Sequence, residues 1–244
     1  MVPAPVGFHC PSCVAEARRA LPPTRTSVGA VASRHPRRAT TVLIGVNTVA
    51  YVATVLSSDR LLAQYGLLGV AVADGEWWRL LTAPFLHGNL AHVGLNMLAL
   101  WILGSAVEPA LGRARFLTVY GLSALGGTTA SYLVGNPLVL SVGASGAVFG
   151  LLGALLVVLR RLNRDVSGVL VLLAVNLVLG FVVPNIDWRA HLGGLVVGVL
   201  VTAAFVYPPR AARATVGWVV SAATLGALAW AAALRTDQIL ALLT

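Results

Sequence analysis

The chain has 244 residues, 58% of them hydrophobic and 10% charged, with a mean hydropathy of +0.86. That composition excludes an ordinary soluble domain and indicates several membrane-spanning helices. The net charge of +9 comes from arginines in short clusters between apolar runs, with no lysine, a pattern of membrane topology rather than of nucleic-acid binding.

Residues 1 to 38 are polar and rich in proline and arginine, and they lack the apolar start of a secretory signal peptide. Cys10-Pro-Ser-Cys13 is the only cysteine pair. With His9 it supplies three of the four ligands that structural zinc takes, and His35 can close the site only by folding back across a stretch with no apolar pattern. The segment is therefore expected to be largely disordered, with no stoichiometric zinc.

Apolar runs follow at about 40 to 57, 89 to 107, 114 to 134, 145 to 159, 166 to 183, 189 to 207 and 214 to 234, with a loop over 58 to 88. They predict an all-α, polytopic membrane helix bundle. With the N-terminus inside, thirteen arginines fall on the inner side and four on the outer, so the N-terminus is expected in the cytoplasm and the C-terminus outside.

The fourth run is short. From Ser145 to Leu159 it makes about 22 Å of helix, against roughly 30 Å of hydrocarbon. With Arg160 and Arg161 at the inner interface, Ser145 lies about 8 Å below the outer one. The backbone before it must dip into the membrane, which is tolerated only where protein buries it or where it lines a wet cavity.

The second, fourth and sixth runs all enter from the outer side, and each places its odd polar residues near that start. These are His92 and Asn96, four apart on one helix face, then Ser145, then His191. Polar groups inside a membrane are costly, so three helices placing theirs at one depth point to one site. Gly146, Gly150 and Gly153 of the fourth run and Gly194 and Gly198 of the sixth have the small-xxx-small spacing that lets two backbones approach. Such an approach brings Ser145 and His191 within reach of each other. Phe149, one turn after Ser145, either packs on the imidazole or is an ordinary core ring. Asp187, one turn before His191, either pairs with it or faces water. The H-E-x-x-H signature is absent around His92, which removes support for a zinc protease built from His87, His92 and His191.

Taken together, these motifs resemble those of the rhomboid intramembrane serine proteases, from about Glu76 to Val206. GASG at 143 to 146 matches the nucleophile motif, which implies Ser145 as nucleophile between Gly143 and Gly146. AHLGGLVVG at 190 to 198 matches the motif carrying the general base, His191. HGNLAHVGLN at 87 to 96 matches the pattern that assigns His92 and Asn96, with the Ser145 N–H, to the oxyanion. EWWRLLTAPFLH at 76 to 87 resembles an outer loop lying partly in the membrane, and EPALGRARF at 108 to 116 matches an E-x-x-x-G-x-x-x-F pattern.

The resemblance implies a six-helix catalytic core over 39 to 208, preceded by residues 1 to 38 and followed by one extra C-terminal transmembrane helix within 209 to 244. It implies an endopeptidase of the cell membrane that works by a Ser-His dyad without cofactor or metal. The expected partners are transmembrane-helix substrates, cut near their outer end after a small residue, and the lipid bilayer, with no nucleic acid. The fifth run, ended by Pro184, is the expected gate, and an Arg79–Glu108 ion pair is expected to anchor the outer loop. GFHCPSCVAEARR, at 7 to 19, resembles the end of a small zinc-binding module that precedes the membrane domain in some bacterial relatives, with its first half absent. The alternative is a proteolytically inactive rhomboid-like protein that binds client helices. Such a protein is expected to lack Ser145 or His191, and both are present.

Overall fold

The computed structural model describes residues 2, 3, 5–20, 25–32, 35–183 and 186–243. The first of these form a small antiparallel pair, Val2–Pro3 (β1) with Phe8–His9 (β2), followed by the helix Pro11–Ala20 (α1). Residues 25–32 make a turn closed by a bridge between Arg25 and Val31, and Val28 and Ala30 on it are buried. Arg213, far along the chain, donates from its guanidinium to the Val28 carbonyl at 2.8 Å. The expectation of a largely disordered 1 to 38 thus meets local structure among its described residues. Two small apolar side chains around Gly29, whose φ is +82°, are too short a signal to register as a hydrophobic pattern.

All seven apolar runs are helical: α2 (Arg38–Leu56), α6 (Leu90–Leu111), α7 (Arg113–Val134), α8 (Ser145–Arg161), α9 (Ser167–Val182), α10 (Trp188–Val206) and α11 (Arg213–Leu243). Among the described residues, α2, α6, α10 and α11 are long and apolar enough to cross a membrane by themselves. α8 and α9, with 17 and 16 residues, reach only about 26 and 24 Å. α8 is shielded by protein, since eleven of its residues are buried, and it stands at the centre of the bundle among α6, α7 and α10. α2 packs on α6, α11 on α10 and α7, and α9 lies lightly against α8 and α10.

The loop between α2 and α6 holds three short helices, α3 (Arg60–Tyr65), α4 (Gly69–Ala73) and α5 (Arg79–Thr82), and a 3₁₀ turn over Ala83–Phe85. It is stapled to the segment before α8: Leu67 and Ser141 exchange backbone hydrogen bonds at 3.0 and 2.9 Å, and Val70 donates its N–H to the Pro137 carbonyl at 3.1 Å. Arg79 ties the loop internally. It pairs with Glu76 and donates to the carbonyls of Ala63 and Gly66, both at 2.8 Å.

The expected Arg79–Glu108 pair is therefore incorrect. Glu108 lies near the far end of α6, 1% exposed, where its carboxylate accepts from the N–H groups of Ala39 and Thr40 at 3.0 and 2.8 Å and from the Thr40 hydroxyl at 2.8 Å. It caps the first turn of α2, where orphan N–H groups and the helix dipole favour negative charge. A 22-residue α6 separates its two ends by about 33 Å, which puts Glu108 out of reach of the loop.

Candidate active site

α8 begins at Ser145, on a backbone that enters through Gly143 with φ at +128°, a conformation that side-chain-bearing residues rarely adopt. Gly143 also makes room. A Cβ added there would stand 2.6 Å from both Cε1 and Nε2 of His92, so that imidazole lies directly over the loop leading to Ser145. The Gly143 N–H donates to the Ala83 carbonyl at 3.0 Å, which ties the same loop to the 3₁₀ turn.

His92 sits in the first turn of α6, whose N-terminus is capped by Asn89: the Asn89 side-chain oxygen accepts from the His92 N–H at 2.9 Å. Asn96 follows one turn later, 7% exposed, donating from its amide nitrogen to the His92 carbonyl at 3.0 Å. His87, fully buried, meets the His92 ring edge-on with centroids 5.0 Å apart.

On α10, His191 is 7% exposed and its ring stacks on Phe149 of α8, with centroids 4.1 Å apart and planes 12° from parallel. Of the two arrangements open for Phe149, packing on the imidazole is the one found. The backbones beneath are in contact: a Cβ on Gly194 would overlap the Gly146 backbone, and one on Gly198 would stand 2.5 Å from the Gly150 Cα. α7 joins the seam through Gly126 and Gly127, since a Cβ on Gly127 would meet the Ala190 carbonyl at 2.8 Å. Ser145 and His191 therefore occupy facing turns of two helices that touch through Gly146 and Gly194. No hydrogen bond joins the two side chains among the described contacts.

Asp187 is committed elsewhere. Its carboxylate caps α10, accepting from the N–H groups of Arg189 and Ala190 at 3.2 and 3.4 Å, and it also accepts from the hydroxyls of Ser131 and Ser141. His191 Nδ1 has no hydrogen-bond partner among the described atoms and faces α9, where a Cβ on Gly180 would stand 3.5 Å from it. Pro184 lies outside the described residues. Cys10 and Cys13 are exposed at the start of α1, and the Ser12 hydroxyl, 2.8 Å from the Cys10 sulfur, helps draw that thiol down to about 7.

Sequence reasoning passed over three contributors. Gly126 and Gly127 make α7 the third wall of the seam, and Gly-Gly inside an apolar run is the available signal. The Asp187 cap was legible as Asp immediately before an apolar helix. The Ala83 carbonyl carries no side-chain signal at all.

The rhomboid-domain family model matches residues 74–208. Rhomboid protease GluP of Bacillus subtilis is 44% identical over 147 residues, which cover 58% of this chain and 28% of that protein. Putative rhomboid protease YdcA of the same organism is 37% identical over 138 residues, covering 54% and 69%. Rhomboid protease AarA of Providencia stuartii is 28% identical over 168 residues, covering 57% and 59%. The chain thus spans little more than a quarter of GluP and about three fifths of AarA. A domain match over more than half of the chain, enclosing every residue from His92 to His191 described above, makes this protein a member of the rhomboid family.

Proposed function

We propose that the protein is an intramembrane serine endopeptidase in which Ser145 is the nucleophile and His191 the general base. The observation that carries this reading is the Phe149–His191 stack across the Gly146–Gly194 contact, which holds the imidazole at the turn where α8 begins. A serine hydroxyl is too weakly acidic to attack an amide unaided, so its proton must pass to a base as the Oγ–carbon bond forms. His191 then donates that proton to the leaving amine, and water hydrolyses the acyl-enzyme by the same route.

The developing oxyanion would be met by the Ser145 N–H at the positive end of α8 and by His92 and Asn96 as side-chain donors. The His92 ring over Gly143 and the Asn96 amide one turn below support this assignment. A Ser-His dyad fits the surroundings of His191: the Asp187 carboxylate is occupied by two N–H groups and two hydroxyls.

The substrate class is a transmembrane helix of another membrane protein, cut near its outer end. Helical carbonyls are tied up in i to i−4 hydrogen bonds, so poor helix formers near the cut favour the extended form that attack requires. α9 is the element past which such a helix would enter, because only Leu173 and Gly180 of its 16 residues are buried. The N-terminus lies in the cytoplasm and the C-terminus outside, on the arginine asymmetry.

The test is cleavage of model transmembrane-helix substrates in liposomes by the full chain and by Ser145→Ala and His191→Ala. Both variants are expected to lose cleavage while folding as the parent does. Substantial residual proteolysis by purified Ser145→Ala would overturn the assignment.

A further inference from the structure

α11 runs to Leu243, well past the end near 234 that its apolar pattern predicts. Its 31 residues make about 46 Å of helix, so with hydrocarbon about 30 Å thick the last turns project beyond it. Arg235, Thr236, Asp237 and Gln238 break the apolar run there, yet the helix continues because it has something to pack on. Thr236 shares a hydroxyl–hydroxyl hydrogen bond of 2.9 Å with Tyr132 of α7, and Ile239 is 3% exposed.

Ile239 shares an apolar cluster with the outer loop. With Ala232 and Tyr132 it belongs to an apolar cluster separate from the main core, whose other members are Leu67, Val72, Ala73, Leu80 and Ala83. Leu240 lines a cleft with Val70, Ala71 and Asp74 of α4 and its end. Two of the clustered residues tie the outer loop to the elements around the proposed site through their backbones. Leu80 accepts at its carbonyl from the Thr128 hydroxyl of α7 at 2.8 Å, and Ala83 accepts from the Gly143 N–H at 3.0 Å.

We infer that the projecting end of α11, through Ile239 and the Thr236–Tyr132 bond, is a positioning element for the nucleophile loop: it braces the outer loop from behind, so that the Ala83 carbonyl holds Gly143 two residues before Ser145. The inference rests on Ser145 being the nucleophile. Short helices joined by turns have few contacts of their own, and without an apolar backing the segment over 67 to 86 opens more readily. A displacement of about 1 Å at a catalytic group costs as much as 10²-fold in rate.

The experiment compares the full-length protein with Ile239→Asp, Ile239→Val and Leu242→Asp, the last on the exposed face of the same turn. Cleavage of a model transmembrane substrate, fluorophosphonate labelling of Ser145, deuterium uptake over 67 to 86 and thermal unfolding are measured on each. Ile239→Asp is expected to lower kcat and the labelling rate together by about 10- to 100-fold, with KM within about twofold, and to speed exchange over 67 to 86. Ile239→Val should restore kcat to within about twofold, and Leu242→Asp should match the parent. Unchanged kcat and exchange in Ile239→Asp, with Ser145→Ala inactive, would overturn the brace and leave the nucleophile standing. An equal loss in Leu242→Asp would reduce the effect to general damage of α11 and also overturn it. A parent protein inert to both substrate and fluorophosphonate would remove both readings.

Discussion

α10 carries His191 and α9 passes beside it, and the two helices are built in opposite ways. α10 meets α8 and α7 through glycines, with backbone against backbone and a cap, Asp187, that also holds two serines of neighbouring segments. α9 meets its neighbours more loosely, and a Cβ on its Gly180 would come no closer than 3.3 Å to Trp188. Its Phe181 ring lies 4.9 Å from Trp188, Gly180 passes His191, and Val171, Val178 and Val182 face outward at 60% exposure or more. A chemical site needs fixed geometry, whereas a route for a helical substrate needs a wall that is held weakly. On the proposed function, the fixed part lies on α8 and α10 and the weakly held wall on α9.

The largest effect is expected from breaking the fixed side. Gly194→Val drives a branched side chain into the Gly146 backbone, which has no rotamer to escape into. It should cost about 3 kcal/mol or more of stability and abolish cleavage, as measured by unfolding and turnover on the same preparation. Near-parental stability would mean that the α8–α10 contact is looser than described.

Asn96→Ala removes one proposed oxyanion donor and leaves the seam intact. Turnover is expected to fall by about 10² or less, with little change in KM. Asp187 separates capping from chemistry. Asp187→Ala should lose about 1 kcal/mol through the α10 cap, whereas Asp187→Asn, which keeps an acceptor, should change turnover little. A collapse in Asp187→Asn as severe as that in His191→Ala would indicate a triad.

The smallest effect belongs to the weak wall. Val175→Ala, half exposed on α9, should shift stability by no more than about 0.5 kcal/mol. A larger loss would place Val175 in a packed interface and remove the contrast between the two helices.

The helices and the site were legible to different depths. Seven apolar runs give seven helices with ends within a few residues, except for α11, where polar residues 235 to 238 hide a continuation that only tertiary packing explains. Ser145, His191, His92 and Asn96 stood out because polar groups are rare in such runs, and the glycine spacing foretold the seam between α8 and α10. Glu108 misled, because a motif match carries no distance. Its actual partners are two backbone N–H groups of α2 and the Thr40 hydroxyl, and the backbone groups carry no side-chain pattern to announce them. The outer loop escaped for the same reason: it is fastened through the carbonyls of Ala63, Gly66, Leu80 and Ala83.

The central claim, that Ser145 is activated by His191, is tested most directly by mapping a fluorophosphonate adduct by mass spectrometry on the full-length protein and on His191→Ala. A single adduct on the peptide carrying Ser145, absent from His191→Ala, is the predicted result. An adduct on another serine, or one that forms on Ser145 equally fast without His191, would contradict it.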